Sequence, residues 1–277
     1  MLHFLFIIAV VGCDGTPVNT GVHNGAIRQM ELKLQHPLQW FICQMHANEL
    51  ILRHLFEYYD GRKTGPIAFS GPISKAIITC ENLPIVNFEP LQADASLPEI
   101  ESKDLSADQQ YLLEISKAVA SGRCSEDLAN KKPGPISHSR WLTTANRLLR
   151  LYIATSTPSK KLKNLANLII KVYAPVWFAI KKQPECYTGP HHLYLTISLS
   201  RSLDSEIKKI IDPVIQRNGF FAHPENLLLA MITDADLEIR IEALQKILDC
   251  RKSPRRELEE LHQQKVPERW TMATNTQ

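Results

Sequence analysis

The chain has 277 residues, 44% hydrophobic and 22% charged, with a formal net charge of +3. That is ordinary globular composition, enough for one large core or two smaller ones, and the mild charge neither marks nor excludes a nucleic-acid binder. The six cysteines are scattered without a Cys-x-x-Cys pair, which argues against a disulfide framework and for reduced intracellular thiols.

The first sixty residues read as strand, helix, strand, helix. Phe4 to Val11 is an apolar run short enough for a buried strand. It leads to Asp14, where Gly15 allows a tight turn. Ile27, Met30 and Leu34 then share one face of a helix. Leu38 to Cys43 is a second apolar run, and His46 to Tyr59 a second amphipathic helix. Two strands joined by a crossover helix pair in parallel with a right-handed connection. Ligands of such sheets sit at the carboxyl ends of the strands, where Asp14, Cys43 and His46 fall. Cys43 and His46 have a soft-metal spacing, but zinc needs three or four ligands, and the other close pair, His191-His192, is remote in sequence.

Met1 to Gly12 also has a rival reading as an export signal, with Val11-Gly12-Cys13 like a lipoprotein cleavage site. A normal signal opens on Lys or Arg, and the early positive charge here is at most His3. The strand reading is preferred, and with it a nuclear or intracellular protein; secretion or lipid anchoring is the alternative. No other stretch approaches the roughly 18 apolar residues of a membrane helix, so no membrane partner is expected.

After Tyr59 comes a Gly/Pro-rich loop, DGRKTGPIAFSGPISK, read as a plain connection because it lacks the Gly-Lys-Ser/Thr ending of a phosphate loop. Ile73 to Cys80 fits a short helix. Glu81 to Lys103 is acidic and Pro-interrupted, an extended linker. Ser106 and Gln109 form a capping box for a helix carrying Leu112, Ile115 and Val119. Pro133-Gly134-Pro135 breaks the chain before a long helix from about Ser139 to Thr155. The next helix, Ser159 to about Lys181, is apolar on most sides, which makes it central, and Pro175 predicts a kink in it. His191 to Leu199 fits strand or helix. Ser205 to Arg217 is helical, with Asn218-Gly219 as its stop. Glu225 to Thr233 and Asp234 to Cys250 are the last helices, and the polar tail from Lys252 is expected to be loosely held.

A strand ending in Asp14, a helix, and a strand running into Cys43-x-x-His46 resemble the second half of the RNase H-like core of cut-and-paste DNA transposases, the hAT superfamily in particular. SRWLTTANRLLRLY is similar to the Arg-Trp helix that opens that family's helical insertion. Together these motifs span roughly a third of the chain. The resemblance implies metal-dependent hydrolysis and strand transfer on DNA ends. It makes Asp14 the second of three carboxylates that hold Mg²⁺ or Mn²⁺, with Glu225 the candidate for the third and Glu238 and Glu242 as rivals. Cys43 and His46 become a structural signature beside that site. Arg140 and Trp141 would meet DNA, the Trp stacking on a flipped base, and Lys160, Lys161 and Lys163 would touch phosphates. Each residue also has a plain structural reading: a turn, a first helical turn, a buried thiol, a core Trp, a solvated face.

The resemblance places the family's first catalytic Asp strand upstream of Met1, so the chain is expected to be an N-terminally truncated, inactive fragment, at most a DNA- or protein-binding remnant. The expected fold is an α/β core fragment with a small parallel sheet and a large all-α insertion, mostly helical overall. Residues 1–60 form the half-core, 61–215 the insertion, 216–250 the returning helices and 251–277 the tail. The short sheet leaves an exposed edge, which predicts marginal stability, a missing upstream part, or a partner such as transposon-end DNA or another protein chain. The competing class is a helical protein-interaction module with no transposon history.

Overall fold

The computed structural model describes residues 10–21, 23–36, 38–61, 71–92, 97–136, 141–220 and 224–252. In chain order these form β1 (Val10–Cys13), α1 (Pro17–Thr20), α2 (Ala26–Leu34), β2 (Gln39–Ile42), α3 (Gln44–Asp60), α4 (Pro72–Ile78), α5 (Ala107–Ser121), α6 (Glu126–Asn130) and α7 (Trp141–Ile153). Then come α8 (Lys160–Leu168), a π-turn (Ile169–Tyr173), α9 (Ala174–Lys182), α10 (Gly189–Ser200), α11 (Ser205–Phe220), α12 (Pro224–Met231) and α13 (Leu237–Lys252). The described protein is mostly helical, with one two-stranded parallel sheet.

The chain forms two compact units, and the division falls inside α3, α10 and α11. The first holds residues 1–47, 184–195 and 215–277. Here β1 pairs with β2 in parallel, Val10 opposite Gln39 through Cys13 opposite Ile42. The crossover is α1 and α2. Ile27 is its buried anchor, and Glu31 ties it to β2 by accepting from the Leu38 amide at 3.1 Å and the Trp40 indole N–H at 3.0 Å. Of the predicted strand Phe4 to Val11, only Val10 and Val11 lie within the described residues. In the same unit α12 and α13 form a hairpin around Leu228, Ala243 and Ile247. The predicted tail lies outside the described residues.

The second unit, residues 48–183 and 196–214, is the helical body. Its axis is the α8–α9 run, where Leu165, Leu168, Ile169, Val172 and Phe178 are buried. Pro175 has no N–H to give the preceding turn, and the backbone widens into the π-turn directly before it. The predicted disturbance at Pro175 therefore takes the form of a local re-spacing of the helix. Asn48 is buried here and donates to the Tyr173 carbonyl at 3.0 Å, inside that widened turn.

Other expectations meet the structure unevenly. The capping box is present, with the Gln109 side chain accepting from the Ser106 amide at 3.1 Å. His191 to Leu199 is helical, as α10. Asn218-Gly219 does not stop α11, which runs to Phe220; the Asn218 side chain instead donates to the Ala47 carbonyl at 3.1 Å. The short helices α1 and α6 were not legible in the sequence.

Candidate metal and nucleic-acid site at the strand ends

The parallel pairing brings Asp14, Cys43 and His46 to one edge. The Cys43 amide donates to the Cys13 carbonyl at 2.9 Å, closing the ladder one residue past β2. Extending the register by one residue sets Asp14 opposite Cys43. His46 lies in the first turn of α3. A Cβ built on Gly15 would meet Ile42 Cγ2 at 3.5 Å and His46 Cδ2 at 3.7 Å, so the Asp-Gly turn packs directly on the Cys-x-x-His segment.

Asp14 is exposed and its Oδ1 collects three donors: Thr16 Oγ1 at 2.6 Å, Asn19 Nδ2 at 2.7 Å and the Thr16 amide at 3.2 Å. The Thr16 amide bond makes this an Asx-turn leading into α1, which is the turn reading of the sequence. Among the described residues no donor reaches Oδ2. The hydrogen bonds from Thr16 and Asn19, with a smaller contribution from the charge of His46, hold the Asp14 carboxyl below its ordinary value. Neighbouring Cys13 is pushed up by burial and by the Asp14 charge.

Among the described residues, Asp14 Oδ2 is the carboxylate oxygen this edge leaves for a hard cation. Mg²⁺ and Mn²⁺ chemistry on phosphodiesters takes several oxygen ligands, and Cys43 and His46 are softer donors. Among the described residues no three His, Cys, Asp or Glu side chains gather as a metal-binding group. Asp14 alone therefore does not make a two-metal site. Glu225 is the second residue of α12, but its side chain lies outside the described residues. Its rivals lie on α13, where Glu242 pairs with Lys246 at 3.0 Å and the Glu238 amide donates to Asp236 at 2.9 Å.

The residues assigned to DNA belong to the helical unit, apart from Arg140, which lies outside the described residues. Trp141 is only 5% exposed and packs edge-to-face on Phe56, with ring centroids 5.7 Å apart. In this arrangement it is a core residue, and its faces are not offered to a base. The three lysines are engaged within the protein. Lys160 meets Glu206 at 2.5 Å, Lys161 donates to the Tyr59 carbonyl at 3.1 Å, and Lys163 meets Glu89 at 2.6 Å.

The sequence reading missed the densest polar cluster, which lies in the helical unit. Arg147 of α7 holds Glu81 in a bidentate pair and also donates to the carbonyls of Ile77, Ile78 and Gly134. Its neighbour Arg150 is buried and donates to the carbonyls of Leu83 and Glu81. Two arginines three residues apart on a face shared with Thr143, Thr144 and Asn146 were the available signal. Arg147 is structural in form, since its donors go to backbone carbonyls and one carboxylate, whereas Nε and Nη1 of buried Arg150 meet no hydrogen-bond partner among the described residues.

No family model, curated protein or solved structure matches this chain. No helix among the described residues is long and apolar enough to cross a membrane.

Proposed function

We propose that this protein derives from a cut-and-paste DNA transposase of the hAT type, and that the chain by itself does not cleave DNA. One observation supports the reading above the others. The parallel β1–β2 pair, joined through α2, sets an Asp at the end of one strand against Cys-x-x-His at the end of the next. On this reading the pair is the back half of an RNase H-like core, Asp14 is a former metal ligand, and the helical unit descends from the family's insertion. The inactivity rests on chemistry: two-metal strand transfer needs carboxylates that bridge ions about 4 Å apart, and among the described residues no group of three His, Cys, Asp or Glu gathers around Asp14. What remains is at most a remnant that binds DNA or protein, and the burial of Trp141 favours protein.

The test is a nicking assay on supercoiled plasmid with Mg²⁺ or Mn²⁺. The expected outcome is no cleavage above the metal-only control, for the parent and for Asp14→Ala alike. Robust nicking that disappears in Asp14→Ala would overturn the inactivity. The ancestry itself is read by spin labels at positions 14 and 225. A short dipolar distance fits carboxylates that once shared a metal pair, and a long one favours a helical interaction protein with no transposon history.

A further inference from the structure

Arg150 is 2% exposed, and its guanidinium is only partly satisfied. Nη2 donates to the carbonyls of Leu83 and Glu81, while Nε and Nη1 meet no hydrogen-bond partner among the described residues. The nearby carboxylate of Glu81 is taken up by its bidentate pair with Arg147. The hydroxyl of Tyr111, on the neighbouring helix α5, is likewise buried and has no partner among the described residues. The charge of Arg150 acts on that hydroxyl and on the thiols of Cys80 and Cys124, so these groups lie within electrostatic reach of one another where α5 packs on α7.

The charges of this cluster do not balance. Arg147 and Arg150 bring two positive charges and Glu81 brings one negative charge. Burial pushes the Cys80 thiol up to about 11 and raises the Cys124 thiol as well, so neither supplies a thiolate at neutral pH. Burial also holds the Tyr111 phenol well above its ordinary value, which keeps its proton in place for donation. Buried charges are ordinarily paired, because an isolated one is costly. Water would meet the N–H groups but leave the charge uncompensated.

We infer that Arg150 and Tyr111 form a buried binding site for a small monovalent anion, with chloride as its natural occupant. The unpartnered Nε–H, Nη1–H and O–H are all donors, the set that an anion accepts from. Both side chains are 2% exposed, so the occupant is enclosed and nucleotides or acidic peptides do not fit. The unpartnered Oδ1 of Asn146, one turn earlier on α7, is an acceptor and suits a water rather than the anion. The inference does not depend on the transposase reading.

Uptake of an enclosed anion is coupled to folding, so it is read as stability. Thermal melts of the full chain are run at fixed ionic strength while sodium gluconate, too large for the site, is replaced stepwise by sodium chloride. The melting temperature of the parent is expected to rise with the logarithm of chloride concentration. Tyr111→Phe keeps the ring and removes one donor, and should need several-fold more chloride for the same rise. Arg150→Met removes the charge and should lose the response; Tyr111→Phe decides where that variant does not fold. A parent that melts alike in both salts would overturn the proposal and leave water as the occupant. A chloride response unchanged in Tyr111→Phe, or retained in a folded Arg150→Met, would overturn it in favour of anions held at the surface.

Discussion

Arg147→Met should lower the stability of the protein by about 3–5 kcal/mol, the usual consequence of removing one partner of a buried ion pair. The Arg147 side chain is 7% exposed and that of Glu81 is 26% exposed. The guanidinium donates at 2.8 Å to Glu81 Oε2, at 2.8 Å each to the carbonyls of Ile77 and Gly134, and at 3.2 Å to that of Ile78. Methionine fills much of the volume and serves none of these acceptors. Adding Glu81→Gln should recover part of the loss, because the stranded charge accounts for much of it. The pH dependence carries a second signature. Burial pushes the Glu81 carboxyl up, but the hydrogen bond and charge of Arg147, together with its own backbone N–H, outweigh burial and leave it lowered. The stability it contributes is thus present above the unfolded carboxylate pKa and is lost as pH falls through the lower folded value. In Arg147→Met burial is opposed only by the backbone N–H and the Cys80 thiol, the carboxyl rises, and the loss of stability on acidification should shrink. Urea midpoints between about pH 7 and pH 4 read the change of slope. A loss under about 1 kcal/mol, or an unchanged acid slope, would refute the assignment.

Gly71→Ala should be comparably damaging, for a steric reason. Gly71 has φ of −79°, which any residue adopts, so the backbone carries no strain. An added Cβ would lie well under 3.0 Å from the Asp60 carboxyl and from the Asp60 carbonyl oxygen. Asp60 itself, at the end of α3, is buried and caps α4, accepting from the amides of Ile73 at 2.9 Å and Ser74 at 2.7 Å and from the Ser74 hydroxyl. A carboxylate at a helix N-terminus also meets the positive end of its dipole. Asp60→Ala orphans two buried amides, and the loss should be about 2–4 kcal/mol. Gly71→Ala should cost about 3 kcal/mol, since neither neighbour can withdraw without giving up the cap. The double variant should lose less than the sum, because the side-chain share of the clash is gone while the carbonyl share stays. Full additivity would mean that the two residues do not act on each other.

Much of this architecture was legible because local pattern and tertiary role agree. The β1–α2–β2–α3 order followed from two apolar runs and one helical period, and the strands pair in parallel as the crossover rule requires. The capping box at Ser106 and the central α8–α9 run were visible for the same reason. Legibility failed where a distant contact decided the outcome. Asn218-Gly219 has the chemistry of a helix stop, yet the Asn218 side chain reaches Ala47 and α11 continues. Pro66 and Gly65 suggested a simple connection after Tyr59, and nothing nearby hinted that Gly71 was needed to let α4 approach Asp60. The candidate site was half legible. The sequence marked Asp14, Cys43 and His46 as neighbours, and the geometry agrees. It could not tell that Trp141 meets Phe56, or that Lys160, Lys161 and Lys163 meet Glu206, Tyr59 and Glu89, since each of those partners is remote in sequence.

The stretch Leu83–Leu91 has no ladder of its own. Its polar groups are met from the helical body: the Leu83 carbonyl by Arg150, the Glu89 carbonyl by the Tyr152 hydroxyl, the Val86 amide by Ile153 and the Leu91 amide by Val119. Most of those partners are synthesised more than sixty residues later. On a ribosome adding roughly 5–20 residues each second, this strap spends several seconds outside the tunnel before α7 exists to receive it. Its apolar members, Ile85, Val86 and Phe88, are exposed to other nascent chains for that interval. Slow translation across the segment encoding α7 would lengthen the interval, and aggregation during synthesis is the natural cost.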